Sequence, residues 1–467
     1  MRSHLFLLLL IFSFQSAIAQ TQITVRTISI KGNIKTQDDI ILRELAFIAD
    51  ASYSSKTLTE KIKESKINLV NLKLFNFITI SQETNNNFTN INIDVIEKWY
   101  LWPYPIFELS ERNFNVWWNE FKESDYSDFS RLNYGVFFNW ENFRGRNELL
   151  KLKIRKGFKE HYLFSYQIPY FNRKKTIGIN TNLQLFRRKK TFYQTHNNKL
   201  VYYENKNEYT SKDYSVNFEL LYRKGLHYKH KIKLSYFNTE IADSIAILNP
   251  NYLNNNNASS GSYAQFAYQF TDEHRDYVIY PLHGHLLEIE TSKYFERNST
   301  VNHYELKARV EKYIELKNHF FLGSSFAIKL SPKEQQAYFA QEGLGFNDYV
   351  RGYEYYVVDG QQYWLSKTAI KYALVEKRNF EIPYVKMRQF KKSHYSIYLG
   401  VFSDMGYIYD PPNKTSNPLQ SKLLWGNGIS LDYVTYYDKL LRIEYSVNHL
   451  GEKGVFLHFS NPFGSNK

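Results

Sequence analysis

Ile177-Gly178-Ile179-Asn180-Thr181-Asn182-Leu183-Gln184-Leu185 changes face at every residue. Ile177, Ile179, Thr181, Leu183 and Leu185 fall on one side, and Gly178, Asn180, Asn182 and Gln184 on the other. A period of two is the signature of a strand with one apolar face. The pattern recurs along the chain. Tyr134, Val136, Phe138 and Trp140 alternate with Gly135, Phe137 and Asn139. Tyr214, Val216, Phe218, Leu220 and Tyr222 repeat it, as do Ile429, Leu431 and Tyr433 near the end.

Two architectures use such strands. A soluble sandwich turns the apolar face into a core, whereas a membrane barrel turns it to lipid and lines its lumen with the polar face. Segments of roughly 9–14 residues match tilted membrane strands better than the short strands of soluble sheets. Connections alternate too. Asn142–Asn147 and Asn172–Lys175 read as tight turns, while His196–Asp213 and Ala242–Gly261, the second with Asn254 to Asn257, are long and polar. The expectation is a mainly β chain: an antiparallel transmembrane β-barrel of about 16 strands, the first near Phe107.

Bulk composition agrees. Of 467 residues, 40 are Tyr and 35 Phe, types that favour strands and membrane interfaces. A mean hydropathy of −0.51 excludes a bundle of membrane helices but not a barrel, whose lumen-facing half is polar. Arg2, the apolar run Leu5–Phe14 and Ala17-Ile18-Ala19 read as a signal peptide over 1–19. The net charge of +14 raises nucleic acid as a partner, but an exported chain should not meet it, so none is expected. The basic runs Arg187–Lys190 and Lys391-Lys392 lie between strands and read as loop or rim charge.

Residues 20–98 read as a separate βααββ unit. Ile23, Val25, Ile28 and Ile30 make a first strand. Thr36 could cap a helix carrying Ile40, Ile41, Leu45 and Ile48; Ser55 could cap a second with Leu58 and Ile62. Phe77, Ile78 and Ile80, the turn Asn85 to Asn87, and Ile91, Ile93 and Val95 make a hairpin. The run Gly32-Asn33, Leu69 to Phe75 and Ile91 to Val95 resembles a POTRA domain. That resemblance implies a periplasmic unit that binds unfolded polypeptide or neighbouring subunits, for example by strand addition to a sheet edge.

Five motifs in the remainder, 99–467, resemble the BamA/TamA superfamily of outer-membrane assembly and translocation barrels, also called the bacterial surface antigen family. They are a turn with Asp272, Arg275, Asp276, Pro281 and Gly284; the tip Val350-Arg351-Gly352-Tyr353; Phe402-Ser403-Asp404-Met405-Gly406; Gly426-Asn427-Gly428-Ile429; and Glu452 to Phe459. The resemblance implies a loop over about 331–362 that folds back into the lumen. It also implies a C-terminal β-signal with Glu452, Gly454, Leu457 and Phe459 beside a weak seam between the first and last strands. Gly454 would weaken pairing there. An arginine inside a lumen needs a carboxylate. If Leu399 and Val401 face lipid, parity puts Asp404 inside, so an Arg351–Asp404 pair is expected to pin the loop. Lys371 stands where the family often has an acid, so a second carboxylate for Arg351 is expected to be missing and only the single pair with Asp404 is expected. Trp99, Trp102, Pro103 and Pro105 could mark a membrane interface or pack on the front unit.

No catalytic site, metal site or cofactor is expected. The 13 His are scattered, Cys is absent, and no nucleotide or hydrolase motif occurs. The function implied by the resemblance is insertion or translocation of outer-membrane or secreted polypeptide, specialised for particular clients, with outer-membrane lipid and accessory periplasmic proteins as further partners. A passive pore or a docking barrel is the alternative.

Overall fold

The computed structural model describes residues 22–109, 122, 124–127, 132–253, 257–296, 303–331, 336–409 and 417–460. The expected signal peptide lies outside them, as do Asn254 to Asn256.

Strand-forming runs at the front make one small sheet. β1 (Gln22–Lys31) is central, flanked by a short β2 (Ser52–Ser54) and by β4 (Phe88–Glu97), which pairs with β3 (Phe75–Asn85); the order is β2-β1-β4-β3. Helix α2 (Ser55–Asn71) covers it, burying Leu58 and Leu69 against Val25, Ile91 and Ile93. The N-cap is Ser54, one residue before the expected Ser55, and its side chain accepts from the Thr57 amide. The first helix is shorter than its apolar spacing suggests: α1 spans only Asp38–Leu42, and Ile48 is exposed. Thr36 does not cap it, because its amide and hydroxyl both donate to buried Glu97, at 2.7 and 2.6 Å. That tertiary carboxylate outcompetes the helix end for the hydroxyl.

Sixteen strands form the second sheet. They are β5 (Leu101–Leu109), β6 (Leu132–Phe143), β7 (Glu148–Gly157), β8 (Lys159–Ile168), β9 (Ile177–Arg188), β12 (Ser211–Tyr222), β13 (Tyr228–Ile241), β14 (Ser260–Glu273), β15 (Gly284–Glu296), β16 (Tyr304–Glu315), β17 (Phe320–Leu330), β18 (Gln362–Glu381), β19 (Lys392–Tyr409), β20 (Leu423–Thr435), β21 (Lys439–Asn448) and β22 (Lys453–Ser460). Every neighbouring pair is antiparallel. The faces are inverted relative to a soluble sheet. Leu183, Phe218, Leu220, Leu234, Phe266, Ile370, Val401, Ile429, Ile443 and Leu457 are exposed, whereas Asn139, Gln265, Glu311, Asp404, Asp432 and Glu444 are buried. An apolar outer band around a polar interior is the solution for a barrel in lipid.

Turns at one end of the barrel hold the N-terminal unit across its mouth. Arg223 makes a two-pronged pair with buried Glu44, both contacts 2.7 Å, and the Tyr170 hydroxyl adds 2.9 Å. Arg43 donates to the Arg223 and Gly225 carbonyls, Asn71 to the Arg275 carbonyl, and Lys98 to Asp438 at 2.5 Å. A cavity of about 940 Å³ lies between α2 and these turns.

At the opposite end, part of the expected long loop is folded. β10 (Lys190–His196) and β11 (Lys199–Glu204) form a hairpin through Asn197 and Asn198, both at positive φ. Such a two-residue turn matches strand twist. The Arg187–Lys190 run is accordingly partnered rather than merely solvated: Arg188 meets Asp213 at 2.5 Å and Lys190 meets Glu204 at 3.5 Å.

Candidate functional site

The chain between β17 and β18 enters the barrel. Leu344, Val350, Tyr353 and Val358 are almost fully buried and pack on Leu365, Ile408 and Leu424 from β18, β19 and β20. Burying a loop is costly unless its polar groups are satisfied; the Arg351 tip is satisfied, whereas Glu354 Oε1 is buried without a hydrogen bond. At the tip, Arg351 Nε and Nη2 meet Asp404 Oδ2 and Oδ1 at 2.7 and 2.6 Å. Asp404 is fully buried, on the face opposite Leu399 and Val401. The guanidinium lies 3.7 Å from the Phe402 ring centre, so one strand supplies both a carboxylate and an aromatic plate.

A second carboxylate comes from elsewhere than the strand after the loop. Glu444 on β21 approaches Arg351 Nη1 at 3.4 Å. Lys371 instead sits 3.8 Å from the Tyr280 ring centre. The sequence held a signal for Glu444: Arg442, Glu444 and Ser446 alternate with exposed Ile443 and Tyr445 and so face inward.

Two glycines make the approach possible. Gly352 adopts φ +91°, and a Cβ on Gly426 would stand 1.8 Å from the Arg351 carbonyl oxygen. The Gly426 motif on β20 is therefore the floor on which the loop tip rests. The tip also reaches the last strands. Asn448 Nδ2 donates to the Gly352 carbonyl at 2.9 Å, Tyr353 pairs with His449, and Tyr356 donates to Glu452 at 2.6 Å. Glu452 thus lies beside the loop. Gly454 pairs opposite Ser446, and Leu457 and Phe459 point outward from β22.

The turn motif belongs to the other end. Arg275 grips Glu273 at 2.8 and 2.6 Å and Glu311 at 2.9 Å. Asp276 accepts from the Tyr277 and Leu282 amides at 2.9 and 3.0 Å, closing the turn through Pro281. Gly284 is at φ +99°, and a Cβ there would lie 2.0 Å from the His274 carbonyl oxygen. Asp272 faces His274. These residues hold the docking turn for α2 and do not join the loop tip.

β5 and β22 are the two ends of the sixteen-stranded sheet, and among the described residues no ladder joins them. Near the N-terminal unit the β5 end contacts the β20–β21 turn and Phe390. Trp102 of β5 packs edge-on against Tyr437 of the β20–β21 turn at 5.6 Å and against Phe390 at 6.3 Å, and the Trp99 amide donates to the Tyr437 hydroxyl at 3.0 Å. Both tryptophans therefore pack across the seam on other barrel turns.

Comparison with known proteins places this geometry. The Omp85 superfamily domain matches residues 142–448, and the POTRA model, described as a surface antigen variable number repeat, matches 23–98. No curated protein matches the chain. Among solved structures, BamA from Haemophilus ducreyi lacking POTRA domains 1–3 is similar at TM-score 0.52 and 14% identity, over 94% of this chain and 84% of that one. CdiB from Escherichia coli is similar at TM-score 0.53 and 9% identity, over 94% and 76%. A sixteen-stranded barrel, a POTRA domain at its mouth and a family model covering most of the barrel agree: this chain belongs to the Omp85 superfamily.

Proposed function

We propose that this chain is an outer-membrane insertion or translocation factor, specialised for particular clients, with a cleaved signal peptide over 1–19, a periplasmic POTRA domain over 20–98 and a barrel over 99–467. Omp85 barrels are outer-membrane proteins, and BamA and CdiB share the fold. The observation that carries the reading is the seam: among the described residues β5 and β22 end the sheet without a joining ladder, while the lumen loop is fastened to β19, β20 and β21 and to Glu452 beside β22. Unpaired strand edges in an apolar medium are templates for an incoming strand. A loop pinned beside them can couple client arrival to seam opening without chemistry. Unfolded outer-membrane or secreted polypeptide would arrive through the POTRA domain, with lipid around the barrel and periplasmic accessory proteins as further partners.

A passive pore is the second reading. It is disfavoured because the loop folds into the interior and the POTRA domain is docked on the turns at one mouth. The test is the outer-membrane proteome of cells with the protein, without it, and with Arg351→Ala. Selective loss of one or a few outer-membrane or secreted proteins, reproduced by the variant, is expected. An unchanged proteome would refute protein insertion and turn attention to lipid handling or docking.

A further inference from the structure

The turn between β14 and β15 carries a feature that neither loop nor seam uses. His274 Nδ1 lies 2.7 Å from Asp272 Oδ1, and His285 Nε2 lies 3.5 Å from Asp272 Oδ2. Asp272 Oδ1 and His274 Nδ1 are both buried atoms, yet neither makes a hydrogen bond. A carboxylate oxygen and a ring nitrogen thus converge without the alignment that a hydrogen bond requires. The His274 and His285 rings stack at 4.6 Å with 16° between planes, so both present an edge to the same carboxylate. One donor atom from each of the three residues lies within 4.8 Å of the others.

We propose that Asp272, His274 and His285 form a binding site for a divalent transition-metal ion of the zinc type. Two imidazoles and a carboxylate are a common ligand set for such ions, and three protein ligands leave one position for water. Zinc–nitrogen and zinc–oxygen bonds of about 2.0–2.2 Å require donors roughly 3.3–3.5 Å apart. The Asp272–His285 contact of 3.5 Å already meets that spacing, while the Asp272–His274 contact of 2.7 Å opens slightly. Asp272 is the last residue but one of β14 and His285 the second of β15. The His274 amide also donates to the His285 carbonyl at 2.9 Å, so the sheet presets the ligands. His274 is about one-third exposed and Asp272 less, which leaves an approach from the mouth.

A second convergence, Glu354, Glu444 and His458, is electrostatically unlike this one: Arg351 and Arg442 stand 3.4 and 3.6 Å from Glu444 and repel a cation. Near His274 the neighbour is another imidazole. His227 stacks on it at 3.9 Å, and its Nε2 lies 3.0 Å from the Glu64 carboxylate of α2 and its Nδ1 2.8 Å from the Glu273 carbonyl oxygen. A metal that fixes the His274 ring therefore also fixes the plate on which His227 rests, and through it the POTRA helix. Bound zinc would stiffen the POTRA–barrel joint.

The test uses the full chain in detergent micelles, stripped with a chelator and titrated calorimetrically with zinc chloride. His274→Ala, His285→Ala and Asp272→Asn remove ligands. His283→Ala is the control, because His283 sits on the same turn but faces Asp276 and Glu315. One saturable site is expected, weakened at least about tenfold by each ligand variant and unchanged in the control. Zinc should also slow amide exchange in α2 of the wild type and not of His274→Ala. Equal binding by all four variants would mean adventitious surface binding and would overturn the site. So would the absence of saturable binding to wild type that retains its native heat-modifiable mobility on gels.

Discussion

Removing Asp404 tests whether the lumen loop is held by one buried pair. In Asp404→Ala, Arg351 loses both short contacts, at 2.7 and 2.6 Å, and keeps Glu444 at 3.4 Å and the Phe402 ring. Breaking a buried pair by deleting one partner costs about 3–5 kcal/mol, chiefly because a charge is left uncompensated. Glu444 compensates part of that charge, which lowers the expected cost to about 2–3 kcal/mol. The population of released loop should then rise about 30- to 150-fold, at a factor of ten per 1.4 kcal/mol. Hydrogen exchange of amides between Leu344 and Val358, measured in micelles, reads this population directly when reclosing is fast. The acceleration should be confined to the loop and its β19–β21 floor, leaving the POTRA core unchanged. Loop exchange within about threefold of wild type would refute the pin and shift the anchoring to the Leu344, Val350 and Ile408 packing. An Arg351→Met, Asp404→Leu double variant should be less mobile than Asp404→Ala, since it leaves no orphan charge.

Three further outcomes follow from other contacts. Gly426→Ala places a methyl 1.8 Å from the Arg351 carbonyl; the loop must shift, at about 1–3 kcal/mol, and Gly426→Ala should share the fast exchange of Asp404→Ala while wild-type rates would refute the close approach. Glu44→Gln leaves Arg223 buried without its carboxylate and should loosen POTRA docking by about 3 kcal/mol; spin labels on α2 and on the Phe171 turn, placed through cysteines in a chain that has none, should show a broadened distance distribution. Burial pushes the Asp438 carboxyl up, but the charge and hydrogen bond of Lys98, the Tyr277 hydroxyl and the Lys73 charge together outweigh it, and the net shift is below the usual 3.8. A depressed folded value means that this part of the docking is fully present above 3.8 and is lost as pH falls below it. The same label pair should report constant docking at neutral and mildly acid pH, loosening only under stronger acid, with a smaller acid response in Lys98→Met.

The barrel was legible in the sequence because a period of two survives whichever side the apolar face takes, and because turn residues such as Asn142 and Asn172 punctuate it. Side-chain parity placed Asp404 inside. Glu444 was not connected with Arg351, since its strand lies far along the chain and strand pairing across a barrel is not a local property. The second strand of the hairpin at Asn197-Asn198 was hidden for a different reason: Leu200 to Tyr203 is short, and polar flanks made His196–Asp213 read as loop. The first POTRA helix shows tertiary override. Its apolar spacing extends to Ile48, but Glu97 takes the Thr36 hydroxyl and the helix ends at Leu42. The three-imidazole stack was likewise invisible, because His227, His274 and His285 are brought together only by strand register.

The two covers of the lumen have an electrical consequence. The POTRA domain closes one mouth through Glu44, Asn71 and Lys98. At the other, the Asn198 amide group and backbone of the β10–β11 hairpin bond to Val357 of the inserted loop at 3.2 and 2.9 Å. A current through the barrel would have to pass both. In a planar bilayer the resting protein should be silent, and conductance should appear in bursts only when a cover lifts. On the proposed function, the membrane would keep its insulation while the edge of the barrel stays available to a client.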